Sequence, residues 1–166
     1  TVEIMTLASR VAARHPVEGQ LEARPVLRHG EAPRAYPCRD EKERIQRIAG
    51  LARQWQEEGY HTVAVIEKTK ARAEATWRAL KKQLPVRLLV EGDTAYAGGL
   101  LVLPAALAKG LEFDCVIVAE CNAEVFPDDP FLCRVLYVLL TRPLHRLALV
   151  HTGVMTPLVP GEESRA

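Results

Sequence analysis

Two segments of the chain carry polar and charged residues at spacings suited to chemistry. Residues 103–119 read LPAALAKGLEFDCVIVA, and residues 132–150 read LCRVLYVLLTRPLHRLALV. In each segment a short polar cluster adjoins an apolar run of strand length. Side chains at such junctions can reach a ligand at the end of a parallel sheet. The candidates for chemistry in these segments are Lys109, Gly110, Glu112 and Arg142.

The overall composition fits one soluble globular domain. Of the 166 residues, 48% are hydrophobic and 26% are charged, which excludes a disordered or fibrous chain. The formal net charge is +1, so the molecule as a whole is not expected to attract nucleic acid, and any such contact must be local. We predict one domain over residues 1–166, with residues 152–166 as a tail. Because Thr1 is not a natural start, we expect a fragment of a longer protein.

The cysteines and the apolar runs predict the cellular compartment. No Cys-x-x-Cys pair occurs, so we expect buried free thiols rather than metal ligands or disulfides, as is typical of the reducing cytoplasm. No apolar run approaches the roughly 20 residues of a membrane span, and no signal peptide is visible. The sequence therefore predicts a cytoplasmic protein with no membrane contact and no metal site. The cysteines in question are Cys38, Cys115, Cys121 and Cys133.

Four segments have the apolar spacing of amphipathic helices. We predict helices over residues 2–14, from Asp40 to about Glu58, from Thr69 to Pro85, and from Asp129 to Pro143. Asp40, Thr69 and Asp129 are the expected N-caps, because their side chains accept hydrogen bonds from free backbone N–H groups. The expected inward residues are Ile4, Leu7 and Val11; Ile45, Ile48, Leu51 and Trp55; Ala73, Trp77, Leu80 and Leu84; and Leu132, Val135, Leu136 and Leu139.

Short apolar runs between these helices predict strands that are buried on both faces. The proline-rich stretch 17–38 is expected to be a loop with one or two edge strands, near residues 25–27 and 35–36. Strands that alternate with helices indicate a three-layer α/β/α sandwich with a mainly parallel sheet. The predicted buried strands are 62–66, 86–90, 100–103, 115–119 and 146–150.

The two polar segments together resemble a known family. Ala-Lys-Gly-Leu-Glu-Phe-Asp before a strand, followed by Leu-Tyr-Val-x-x-Thr-Arg-x-x-x-x-Leu, is similar to motifs V and VI of superfamily 1 helicases of the UvrD, Rep and PcrA type. The segment from Glu124 to Pro127 also resembles that family. Pro104 and the turn at His145 are most similar to the HelD-like branch, which is associated with bacterial RNA polymerase. The resemblance implies a RecA-like fold, as the C-terminal lobe of a two-lobe ATP motor.

For such a motor, the resemblance implies an ATP site shared with an N-terminal RecA-like domain of the same chain. ATP and Mg²⁺ would be held in the full-length protein and not stably by this fragment. Arg142 matches the arginine finger, because a planar guanidinium suits the charge that spreads over a transferring phosphoryl group. Glu112 matches the glutamate that accepts from the sugar hydroxyls, and Gly110 would allow close backbone approach. The alternatives are that Arg142 only pairs with a carboxylate and that Glu112 is a solvated turn residue.

Three further residues are candidates for nucleic-acid contact. Lys68 and Thr69 follow the predicted strand 62–66 at a helix N-terminus, whose free N–H groups favour phosphate. The alternative is a simple Thr69 cap with a solvated lysine. Lys109 either contacts a nucleic-acid phosphate or holds its turn by a salt bridge. Tyr137 and Phe113 match motif positions, but we assign both to the core.

Two departures limit what the resemblance implies. Pro104, Ala105 and Ala106 stand where UvrD-type enzymes have a Thr-x-His that touches single-stranded DNA. The chain also lacks a Gly-x-x-x-x-Gly-Lys-[Ser/Thr] phosphate loop, and it has no Asp-Glu pair that follows a strand in the context of helicase motif II, where the magnesium carboxylate would lie. We therefore predict an ATP-dependent DNA helicase only in the full-length parent, with DNA and RNA polymerase as candidate partners. The rivals are a non-catalytic RNA polymerase- or DNA-binding adaptor and a Rossmann-like dinucleotide domain, which the missing Gly-x-Gly-x-x-Gly disfavours.

Overall fold

A computed structural model describes residues 1–19, 27–93 and 98–161 of the chain. Within these ranges the helices are α1 (Val2–Ala12), α2 (Glu41–Glu57), α3 (Lys70–Leu80) and α4 (Pro130–Leu140), with a short 3-10 helix at Ala105–Leu107. The strands are β1 (Arg34–Cys38), β2 (Thr62–Glu67), β3 (Arg87–Leu88), β4 (Gly99–Pro104), β5 (Phe113–Val118) and β6 (Pro143–Thr152).

All six strands join one parallel sheet in the order β1-β6-β5-β2-β4-β3. Helices α1 and α4 share a hydrophobic core with one face of the sheet, and α2 and α3 share a second core with the other face. Because helices cover both faces, the central strands are buried almost throughout, as their continuous apolar runs predict. The predicted α/β/α sandwich with a parallel sheet is confirmed.

The predicted helix starts agree with the structure. Asp40 accepts from the N–H of Glu43 at 2.8 Å, Thr69 from that of Arg72 at 3.3 Å, and Asp129 from that of Leu132 at 2.8 Å. The helix ends agree less well. Helix α1 ends at Ala12 rather than residue 14. Helix α3 ends at Leu80, because residues 81–84 form a turn that leads into β3, so the predicted extension to Pro85 is wrong.

The inward face of α4 differs from the predicted one. Leu136 and Leu139 are buried, but Leu132 and Val135 are only partly covered. Cys133 and Leu140 are buried as well. The helix packs against α1 as well as the sheet, which rotates the buried stripe toward Cys133, whose thiol donates to the Val11 carbonyl at 3.2 Å. One flank of α4 is therefore left at the surface.

The bounds of β3 and β6 also differ from the predictions. The predicted strand 86–90 is shorter in the structure: β3 covers Arg87–Leu88, pairs with β4 and forms one edge of the sheet. Strand β6 begins at Pro143, so this proline starts a strand rather than only ending a helix. The expected edge strand near 35–36 is β1. The predicted strand near 25–27 lies largely outside the described residues.

The described part of the predicted tail packs against the body of the protein. Thr156, Leu158 and Val159 are buried, and the N–H of Thr156 donates to the Cys121 carbonyl at 3.0 Å. All four cysteines are buried and free, and burial raises the pKa of Cys115 to about 12. No helix in ranges 1–19, 27–93 and 98–161 is long and apolar enough to cross a membrane.

Asp114 joins the starts of β5 and β2. Its carboxylate accepts from the N–H groups of His61 at 2.8 Å and Thr62 at 3.0 Å, while its own N–H donates to the Thr62 hydroxyl at 2.7 Å. Partial burial alone would raise the pKa of Asp114, but the N–H donors of Thr62 and His61 outweigh it and lower the pKa.

We expect Asp114→Ala to lower the free energy of unfolding by about 1–3 kcal/mol, because it leaves two backbone N–H groups without their acceptor. Since the folded-state pKa is depressed, this stability is present above the ordinary carboxyl pKa of about 4 and is lost as pH falls through the folded value. Urea denaturation at pH 7 and at pH 3 measures both effects. Asp114→Asn keeps an acceptor and serves as the control; an equal loss in both variants would contradict the proposed hydrogen-bond role.

Candidate functional site

Arg142 lies at the junction between α4 and β6, and its backbone is held on both sides. Its N–H donates to the Leu139 carbonyl at 3.2 Å, and its carbonyl accepts from the N–H of Phe113 at 3.1 Å. The first bond fixes Arg142 to the last turn of α4. The second fixes it to the start of β5, where Phe113 is paired with Pro143.

The Arg142 guanidinium is held by three uncharged oxygen acceptors. Its Nε donates to the Val138 carbonyl at 3.1 Å, Nη1 to the Leu111 carbonyl at 3.1 Å, and Nη2 to the Thr141 hydroxyl at 3.2 Å. None of the ion pairs in the described part of the chain includes Arg142. The alternative of a structural pair with a carboxylate is therefore not observed among the residues that the structure describes. One N–H on each terminal nitrogen remains for another acceptor.

Glu112 is brought next to Arg142. The two residues on either side of Glu112 both bond to Arg142: Leu111 through its carbonyl and Phe113 through its N–H. The Glu112 side chain is exposed. A carboxylate and a guanidinium that precede adjacent parallel strands thus lie at the same edge of the sheet.

Gly110 adopts a backbone conformation that favours glycine. Its φ angle is +79°, and the following N–H of Leu111 closes a turn onto the Ala108 carbonyl at 3.1 Å. A Cβ atom added to Gly110 would meet nothing within 4 Å. The glycine is explained by its left-handed conformation rather than by a lack of space within the described residues.

Lys68, Thr69 and Lys109 line one groove of about 340 Å³. The groove lies between residues 105–109 and α4, whose partly covered flank forms an apolar wall. Thr69 does cap α3, as one of the two interpretations expects. Neither lysine takes part in an ion pair with a residue that the structure describes, so the salt-bridge alternative for Lys109 is not observed.

The candidate residues form two groups at opposite edges of the sheet. Lys68 and Thr69 follow β2 at the carboxyl edge, whereas Glu112 and Arg142 precede β5 and β6 at the amino edge. A strand of this length separates the two edges by about 20 Å. Residues 105–112 run from one edge to the other and carry Lys109 between the two groups.

A buried charged network at the carboxyl edge was not predicted. Arg44 is 2% exposed, and its Nη1 donates to Glu67 Oε1 and to the Ala119 carbonyl, both at 2.7 Å. Burial alone would lower the pKa of Arg44, but hydrogen bonding to Glu41 and the charge of Glu67 raise it above its ordinary value. Glu120, 3% exposed, accepts from the backbone N–H of Thr152 at 2.7 Å.

The carboxylates of Glu67 and Glu120 each have more than one partner in this network. Arg72 bridges Glu67 at 3.1 Å and Glu120 at 3.8 Å, and the Thr76 hydroxyl donates to Glu67 at 2.8 Å. Across the described ranges no group of three or more His, Cys, Asp or Glu side chains is arranged to hold a metal ion. The arrangement joins α2 and α3 to the ends of β2 and β5.

No protein-family model matches the chain, and no curated protein matches it significantly. Among solved structures, the C-terminal domain of a possible DNA helicase from Lactobacillus plantarum WCFS1 is similar over 95% of this chain and 89% of its own, with 28% sequence identity and a TM-score of 0.79. The structure of T4 UvsW is similar over 66% of this chain and 25% of its own, at 15% identity and a TM-score of 0.41, which is too weak to support a conclusion. The chain therefore has the RecA-like fold of a helicase C-terminal domain.

Proposed function

We propose that this chain is the C-terminal motor domain of an ATP-dependent DNA helicase or translocase of the UvrD-like superfamily 1 type, closest to the HelD-like branch. The observation that carries the proposal is the Arg142 guanidinium, which is fixed beside Glu112 by three oxygen acceptors and has no ion pair with the described residues. The likeness to the C-terminal domain of a possible DNA helicase, at 28% identity, supports the coarser part of this proposal, a helicase-type C-terminal domain.

In this proposal the amino edge of the sheet receives a nucleotide presented by a partner lobe. Arg142 acts as an arginine finger: its two remaining N–H donors contact the oxygens of the γ-phosphoryl group, where negative charge develops. Glu112 accepts hydrogen bonds from the ribose hydroxyls. Gly110 supplies the turn that sets Glu112 at this edge.

ATP and Mg²⁺ depend on residues beyond this chain. A phosphate loop binds the β- and γ-phosphates through its backbone and a lysine, and an acidic residue binds the metal. This sequence has no such loop. The partner N-terminal RecA-like domain is therefore proposed to supply the phosphate and metal ligands, while this chain supplies Arg142 and Glu112.

Lys68, Thr69 and Lys109 are proposed to contact the phosphates of DNA. Two lysines without ion pairs among the described residues border one groove together with the capped N-terminus of α3, whose backbone N–H groups favour anions. The net charge of +1 for the chain is consistent with a local rather than a global attraction.

We expect the 166-residue chain alone to show no DNA-stimulated ATPase and no unwinding, and the full-length protein to show DNA-stimulated ATPase. The reason is that the chain carries only part of a shared site. Phosphate release with and without single-stranded DNA measures this. DNA-stimulated ATPase from the chain alone would refute the shared site, and a full-length protein without ATPase would favour the RNA polymerase- or DNA-binding adaptor instead.

A further inference from the structure

The hydroxyl of Thr141 lies between the end of α4 and the Arg142 side chain. Thr141 Oγ1 donates to the Val138 carbonyl at 2.8 Å, so its proton points back into the helix. The same oxygen accepts from Arg142 Nη2 at 3.2 Å. A hydroxyl can donate once and still accept, so both contacts form together.

This contact between consecutive residues depends on the end of the helix. Within a helix, residues i and i+1 do not face each other. Thr141 is the C-cap of α4, with φ −95° and ψ 0°, and β6 begins at Pro143. The chain therefore turns at Arg142. The Arg142 side chain folds back over the last turn of α4, where the Val138 carbonyl and the Thr141 hydroxyl accept its hydrogen bonds.

Three acceptors fix the plane of the Arg142 guanidinium, because each of its three nitrogens is bonded to a different oxygen. The carbonyls of Val138 and Leu111 belong to the backbone and remain whatever side chains those residues carry. Among the described residues, Thr141 is the one that holds the guanidinium through a side chain. Its loss would free Nη2 and remove one of the three restraints on the orientation of the planar group.

We propose that Thr141 is a positioning residue, whose hydroxyl holds the Arg142 guanidinium in the plane needed to meet the γ-phosphoryl group. This inference rests on the arginine-finger role proposed for Arg142. It assigns Thr141 no contact with the nucleotide. Its effect is therefore expected on the rate of the chemical step and not on the binding of ATP.

The test compares Thr141→Val with Thr141→Ser in the full-length protein. Valine keeps the shape and removes the hydroxyl, whereas serine keeps the hydroxyl. We expect Thr141→Val to lower kcat of the DNA-stimulated ATPase by about 10- to 100-fold with KM for ATP changed less than about twofold. Thr141→Ser should stay within about threefold of the parent kcat. Thermal unfolding midpoints should agree among all three proteins.

Several results would contradict the positioning role of Thr141 or the arginine-finger role of Arg142. Equal losses in Thr141→Val and Thr141→Ser, or a raised KM at unchanged kcat, would overturn the positioning role. A Thr141→Val protein with normal turnover beside an inactive Arg142→Ala protein would overturn it too, yet leave the arginine finger intact. An active Arg142→Ala protein would instead remove the proposed function. In the double variant Thr141→Val with Arg142→Ala, we expect no further loss beyond Arg142→Ala, and additive losses would contradict the coupling.

Discussion

Replacing Arg142 with alanine in the full-length protein is expected to slow ATP turnover by about 10³-fold or more while leaving nucleotide binding largely intact. The guanidinium has no ion pair within the described residues, so under the proposed function we expect its charge to act on the transition state rather than on a neighbouring carboxylate. Its contacts are with carbonyls and a hydroxyl, and the cost of its loss to folding should be small. Steady-state ATPase rates together with the binding of a fluorescent ATP analogue measure the two effects.

Two control variants sharpen the Arg142 test. Arg134→Ala removes an exposed arginine from the same helix, one that stacks on Phe131 at 5.9 Å, and should leave turnover nearly unchanged. Arg142→Lys keeps a positive charge but loses the planar fork, so it should remain slow. Turnover close to that of the parent protein in Arg142→Ala would remove this residue from the mechanism.

The sequence predicted the local elements because their signals are local. A cap such as Asp40 acts on N–H groups within one turn, and the apolar run of β2 reports burial on both faces of its own strand. The sandwich followed from the alternation of such elements. The predicted ends of α3 and β3 were wrong, because those boundaries depend on where the chain must turn to reach a neighbouring strand.

The proximity of Glu112 to Arg142 could be expected from the family resemblance but not from the spacing of residues along the sequence. The two residues lie thirty positions apart, and only the adjacency of β5 and β6 in the sheet brings them together. Periodicity gives the order of strands along the chain and does not give their order in the sheet. For the same reason, the partly covered flank of α4 could not be foreseen, since it depends on what packs beside the helix.

The buried network left a signal that periodicity could have revealed. Arg44 precedes Ile48, Leu51 and Trp55 at spacings of four, three and four, so an arginine occupies the inward stripe of α2. Glu67 is the carboxylate that directly follows the apolar run of β2. A cation on a buried stripe requires a buried acceptor. The sequence could not reveal that the first turn of α2 lies close to the end of β2, which brings the two groups together.

Arg44→Ala is expected to lower the free energy of unfolding by about 3–5 kcal/mol, because it leaves Glu67 as a buried carboxylate without its main cation. The remaining guanidinium, Arg72, is 38% exposed on its side chain and contacts the other carboxylate oxygen, so it compensates only in part. Guanidinium chloride denaturation of the chain measures the loss. Arg47→Ala, an exposed arginine on the same helix, is the matched control and should cost less than about 1 kcal/mol.

A double variant separates the desolvation of Glu67 from the packing of Arg44. Arg44→Met with Glu67→Gln removes both charges at similar volume and should recover part of the stability, because an unpaired buried charge costs more than a neutral pair. A loss below about 1 kcal/mol in Arg44→Ala would contradict this account.

Since Glu67 directly precedes Lys68 and Thr69, Arg44→Ala should also loosen the turn that presents these residues at the groove. Faster amide hydrogen exchange at residues 68–72 would report that loosening, because opening free energy is lowest where local contacts are lost.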